Sequence, residues 1–81
     1  MKLPRHLSGP ELVKLLRTLG YEVTRQTGSH LRLTTQRQGE HHVTVPNHSP
    51  LKVGTLSGII TDVAQPFGIT REDLLKRLLQ D

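Results

Sequence analysis

The chain contains no cysteine, and that one absence removes disulfides, thiolate zinc sites and cysteine nucleophiles together. It also fits a reducing compartment. Tryptophan is absent too, and the aromatics are a single tyrosine, Tyr21, and a single phenylalanine, Phe67. The stacking platforms of single-strand nucleic-acid binders are therefore missing, and both aromatics read as core. No apolar run approaches the roughly 20 residues that span a bilayer. Met1–His6 lacks the apolar stretch of a signal peptide. The expectation is a soluble, cytoplasmic protein with no membrane partner.

What is present is short and basic. The 81 residues make one domain, 1–81, with no repeat, low-complexity tract or linker. A domain of this size buries about 60–65% of its unfolded surface, so its core must be compact. The net charge of +4 is uneven. Up to Leu51, seven lysines and arginines face three acids; from Lys52 onward, four face four. All five histidines lie in the first part. A small surface rich in His and Arg suits an anion such as RNA, although a solvated basic face without a partner has the same composition.

Periodicity gives the elements. Ser8-Gly9-Pro10-Glu11 has the form of a capping box, with Pro10 in the first turn, where its missing N–H costs little. Leu12, Val13, Leu15, Leu16 and Leu19 follow at helical spacing, and Gly20 is expected as a left-handed cap. The period then changes to 2. Tyr21–Gln26, His30–Thr35 and Glu40–Val45 read as three strands joined by tight turns, the first with Gly28 at positive φ. Pro46 should end the third strand. After a loop over 47–53, Gly54-Thr55 should open a second helix, with Thr55 as its cap, until Pro66 and Gly68 break it. A third helix begins near Thr70 and carries Leu74, Leu75, Leu78 and Leu79.

This order predicts an α+β fold, α-β-β-β-α-α, with a three-stranded antiparallel sheet and helices on one face. Val23, Leu31, Leu33, Val43 and Val45 should face the helices. Alternation then puts His30, Arg32 and Thr34 on the other face, with His42 and Thr44 beside them. His41 falls on the core side.

The chemistry that suits such a face is metal-independent RNA cleavage. A base takes the 2′-hydroxyl proton, the oxygen attacks the adjacent phosphorus, and an acid protonates the leaving 5′-oxygen. Histidine serves either role near neutral pH, and Arg or Lys holds the phosphate. The candidates are His30, Ser29, Arg32, His42, His48 and Lys52, with the helix start at Gly54-Thr55 offering free N–H groups. Each has a plainer alternative: His42 and His48 as surface histidines, Lys52 as a solvated lysine, Thr55 as a cap, Gly28 as a turn residue. A zinc site is disfavoured, because His41 and His42 point to opposite faces of one strand and no carboxylate assists. A Ser-His-Asp triad fails because no acid is evidently placed to orient a histidine.

These residues resemble the HicA toxin family. Leu19-Gly20-Tyr21 closes the first helix, Arg25-Gln26-Thr27-Gly28-Ser29-His30 leads into the second strand, and Val43-Thr44-Val45-Pro46, His48, Gly54-Thr55-Leu56 and Ile59-Ile60 follow. The family hallmark is Gly-Ser-His opening the second strand, and the resemblance spans roughly residues 9–80. It implies a double-stranded-RNA-binding-like fold and the role of toxin in a type II toxin–antitoxin system. It further implies an endoribonuclease that cleaves mRNA without a cofactor, with His30 catalytic, and neutralisation by a HicB-like antitoxin covering the active face. Two departures stand out. The Gly- and Lys-rich stretch of other members is Ser49-Pro50-Leu51-Lys52-Val53 here, which implies a weaker RNA grip, and Gln65-Pro66-Phe67-Gly68-Ile69 replaces a short Gly turn. The reading that competes is a catalytically silent RNA-binding module, and a third is a protein-interaction domain with incidental charge.

Overall fold

The computed structural model describes residues 6–79. The segments 1–5, with Lys2 and Arg5, and 80–81 lie outside them. The elements run α1 (Gly9–Arg17), β1 (Glu22–Thr27), β2 (His30–Thr35), β3 (His41–Pro46), α2 (Val53–Phe67) and α3 (Arg71–Leu79). This is an α+β fold with an open three-stranded antiparallel sheet in the order β1-β2-β3.

The capping box forms as the sequence implies. The Glu11 N–H donates to the Ser8 hydroxyl at 3.1 Å, and the Ser8 N–H donates to the Glu11 carboxylate at 2.9 Å. These two bonds satisfy donors that a helix start leaves free. The other end closes through Gly20 at φ 86°. The Tyr21 N–H reaches the Leu16 carbonyl and the Gly20 N–H the Arg17 carbonyl, a Schellman closure that needs a left-handed residue. Arg37 reinforces it, its guanidinium donating to the Thr18 carbonyl at 3.1 Å.

α2 differs from expectation at both ends. It begins at Val53, with Lys52 as the cap residue and no side-chain cap bond. Thr55 is thus inside the first turn and does not cap. Pro66 does not break the helix, which runs on to Phe67. Proline at the next-to-last position removes a single helical bond, and the chain closes just beyond, with the Ile69 N–H on the Ala64 carbonyl. α3 starts where Thr70 accepts from the Asp73 N–H at 3.0 Å.

One apolar cluster joins all three helices to one sheet face. Leu12 and Leu16 of α1, Leu33 and Val45 of the sheet, Leu56, Ile60 and Val63 of α2, and Leu74 of α3 are all fully or almost fully buried. Leu79, expected to share this face, is exposed. Val23 pairs with Leu33 and so lies on the helix side, yet it remains 36% exposed, because β1 is an edge strand that the helices do not cover there.

Tyr21 is buried at the centre of this arrangement. Its hydroxyl lies 2.8 Å from His41 Nδ1, on the core side of β3. Burial pushes its phenol up to about 12, with the Asp62 charge adding to the effect. A tyrosine in the unfolded chain titrates near 10, so the native state holds this proton more tightly. The stability this confers is complete below about pH 10 and declines as pH rises toward about 12. We expect tyrosinate absorbance to rise together with alkaline unfolding in that window. A folded protein whose phenol titrates near 10 contradicts it.

Candidate functional site on the open sheet face

The face of the sheet away from the helices carries polar side chains only up to its rim, and register fixes which ones. β2 is the central strand, and its alternate residues His30, Arg32 and Thr34 stand opposite Pro46, Thr44 and His42 of β3. On the β1 side they meet Thr27, Arg25 and Glu22. His30 opens β2 directly after a two-residue turn, Gly28-Ser29, with Gly28 at φ 57° and Ser29 at negative φ. That is the sign pattern of a type II′ hairpin turn, which places glycine first. His30 is exposed, and paired strands on both sides hold its backbone.

The turn is tied to the β3–α2 loop. The Asn47 N–H donates to the Ser29 carbonyl at 2.6 Å, and the Gly9 N–H to the His48 carbonyl at 2.8 Å. Ser29, His30 and the start of that loop therefore form one corner. Lys52 and Thr55 lie at the start of α2, connected to this corner through the loop; Lys52 is exposed and Thr55 half-buried. His48 is exposed beside Asn47.

His42 belongs elsewhere. It sits opposite Thr34, four residues along β2 from His30. At about 3.3 Å per residue the two histidines are about 13 Å apart along the strand, too far to act on one phosphodiester. Both ring nitrogens of His42 are engaged, Nε2 with Glu40 at 2.9 Å and Nδ1 with the Thr34 hydroxyl at 2.7 Å. The Thr34 hydroxyl in turn lies 3.0 Å from that of Thr24. The hydrogen bond to His42 holds the Glu40 carboxyl below its usual range, helped by bonding to Gln36, the His42 charge and, least, Arg32. So an acid does orient a histidine in this chain, contrary to the sequence-based expectation. Glu40 lies in the bend just before β3, two residues ahead of His42, and from there its carboxylate reaches the ring.

Arg25 was also missed. Strict alternation groups it with Val23 on the helix side. The register shifts between Val23 and Arg25, so Thr24 and Arg25 both oppose Arg32. This β-bulge returns Arg25 to the open face, and no sequence signal marks it. The face is polarised as a result. His30, Arg32 and Arg25 occupy one end, and Glu22, Glu40 and His42 the other. Thr24, Arg25, Arg32, Thr34, Glu40 and His42 line a concavity of about 420 Å³ between the two ends. Among the described residues no three His, Asp or Glu side chains converge to hold a metal ion. Among them, too, no helix is long and apolar enough to cross a membrane.

Fold and face together define a small basic α+β protein with one sheet face buried under helices and the other open, polar and headed by Gly-Ser-His. The family model described as HicA toxin of bacterial toxin-antitoxin systems matches residues 9–64, more than half of the chain, and the chain belongs to that family. It is thus of the toxin class, whose systems pair each toxin with an antitoxin. The match ends at residue 64, so it is narrower than the 9–80 expected from sequence. No curated protein and no solved structure matches significantly.

Proposed function

We propose that the chain, as one cytoplasmic domain, is an endoribonuclease that cleaves mRNA and so arrests translation. The observation that carries this reading is the corner of the open face where exposed His30 precedes Arg32 on the same side of the central strand. Two residues of strand separate them by about 6.6 Å, comparable to the reach between neighbouring phosphates of an extended RNA strand. His30 exchanges the proton, as base toward the 2′-hydroxyl or acid toward the leaving 5′-oxygen. The 2′-oxygen bonds to phosphorus as the bond to the 5′-oxygen breaks, and that oxygen leaves with a proton. Arg32 neutralises the phosphoryl oxygens, and Ser29, His48, Lys52 and the first turn of α2 around Thr55 are further contacts at this end. No cofactor or metal takes part. A HicB-like antitoxin neutralises the protein by covering the open face, and the fold binds RNA as double-stranded-RNA-binding-like folds do, through shape and phosphate contacts.

The products test this chemistry. Purified protein incubated with RNA in the presence of a metal chelator should yield fragments ending in 2′,3′-cyclic phosphate and 5′-hydroxyl. Fragments with 5′-phosphate ends, or activity abolished by the chelator, exclude the scheme. Intact RNA bound in a salt-dependent manner favours a silent RNA-binding module.

A further inference from the structure

We infer that Arg25 and Arg32 together form a phosphate-binding subsite for the nucleotide next to the cleaved bond, and that Glu22 and Glu40 mark where the RNA track ends. The inference rests on the ribonuclease reading above and adds a residue and a direction to it.

The bulge in β1 sets two arginines directly opposite each other on one face. Cross-strand partners stand about 5 Å apart at Cβ, and like charges there are destabilising. Among the described residues neither guanidinium lies within ion-pair distance of a carboxylate. Glu40, whose carboxyl feels the Arg32 charge, is bonded to His42. The pair therefore has unrelieved repulsion that a bound anion would remove. Two planar forks facing one concavity suit the oxygens of a phosphodiester. The Thr24 and Thr34 hydroxyls beside them are bonded to each other and to His42, so the two guanidiniums are the donors of this subsite.

Position then assigns the phosphate. Arg32 is one step along β2 from His30, so an RNA strand with its scissile phosphate at His30 brings an adjacent phosphate to the arginines. One step further stand Glu22 and Glu40. Carboxylates repel a third phosphate, so the strand leaves the sheet face there or carries a base against it. An acidic protein segment is the other conceivable occupant. The spacing to His30 favours RNA.

The test uses the full chain and a 2′-O-methyl oligonucleotide of mixed sequence, which cannot be cleaved because it lacks the nucleophilic hydroxyl. Arg25→Gln should weaken binding about tenfold. It should also flatten the plot of log affinity against log salt by about 0.7, the value for one lost single-strand phosphate contact. Arg25→Lys should keep the salt slope. Arg17→Gln, which removes the same charge from exposed α1, should change neither quantity beyond experimental scatter. Circular dichroism checks that each variant is folded. If Arg25→Gln binds like the parent while the parent still cleaves RNA, the subsite is wrong and the ribonuclease reading stands. If the parent does not bind the oligonucleotide, both fail. A polyglutamate peptide that binds as tightly, with the same loss on substitution, assigns the pair to an acidic protein and overturns the inference.

Discussion

His30→Ala should abolish growth arrest on induction in cells and lower RNA cleavage in vitro by about 10²–10⁴-fold, the usual contribution of one acid/base group. The fold should be unaffected. His30 is exposed, and no side-chain hydrogen bond from it is formed among the described residues. Exposed substitutions of this kind are generally within about 0.5 kcal/mol of neutral. The matched comparison is His42→Ala. Its ring is committed to Glu40 and Thr34 at the far end of the strand, so it should retain most of the cleavage activity. Growth and transcript integrity, followed for both variants and the parent at equal expression, separate the outcomes. Full toxicity of His30→Ala would falsify the assignment of His30. Equal loss in both variants would instead mean that the whole face acts through binding.

The largest effect on stability is expected at Gly9. A Cβ there would overlap the Pro46 carbonyl oxygen and lie 3.1 Å from its carbon and 3.2 Å from the Asn47 Cα. All three are backbone atoms, so no rotamer change gives relief. α1 would have to lift off the end of β3 and break the bond from the Gly9 N–H to His48. Gly9→Ala should cost about 3 kcal/mol or more, at the upper end for overpacking. A chain of this length has only about 4–12 kcal/mol in total. With an m-value of about 1 kcal/mol/M, the urea midpoint should fall by roughly 3 M or more. Gly58→Ala is the control: it sits in the interior of α2, and a Cβ there would meet nothing within 4 Å beyond its own stretch of helix. Gaining the better helix former there should raise stability by up to about 1 kcal/mol. A Gly9→Ala protein as stable as the parent would show that the junction of α1 with β3 can open freely. Because that junction holds the loop beside His30, the substitution should also reduce toxicity through lower abundance.

Much of this architecture is local in origin. The capping box at Ser8 and Glu11, the left-handed Gly20 and the Gly28-Ser29 turn are each decided within four or five residues of chain, so the sequence alone specifies them. The change of period from 3.6 to 2 likewise separates helix from strand and puts His30 and Arg32 opposite Leu31 and Leu33. The Gly-Ser-His motif and its followers indicated the family to which the chain belongs. Glu40 as the partner of His42 was legible in principle from their two-residue spacing at the start of the third strand.

Three features required the folded molecule. The bulge that turns Arg25 outward depends on how β1 and β2 settle against each other, and alternation taken from one strand cannot reveal an extra residue in a ladder. The continuation of α2 through Pro66 depends on where the helix ends, which Gly68 and the packing of Ile69 decide. The need for glycine at position 9 comes from β3, more than thirty residues away, whose last carbonyl occupies the space of a side chain. The sequence by itself determined which residues of the two regular strands, β2 and β3, face out and which chemistry they hold, because side-chain alternation is a property of the strand. Only the tertiary structure decided which of those residues become neighbours, because register and close approach belong to pairs of elements.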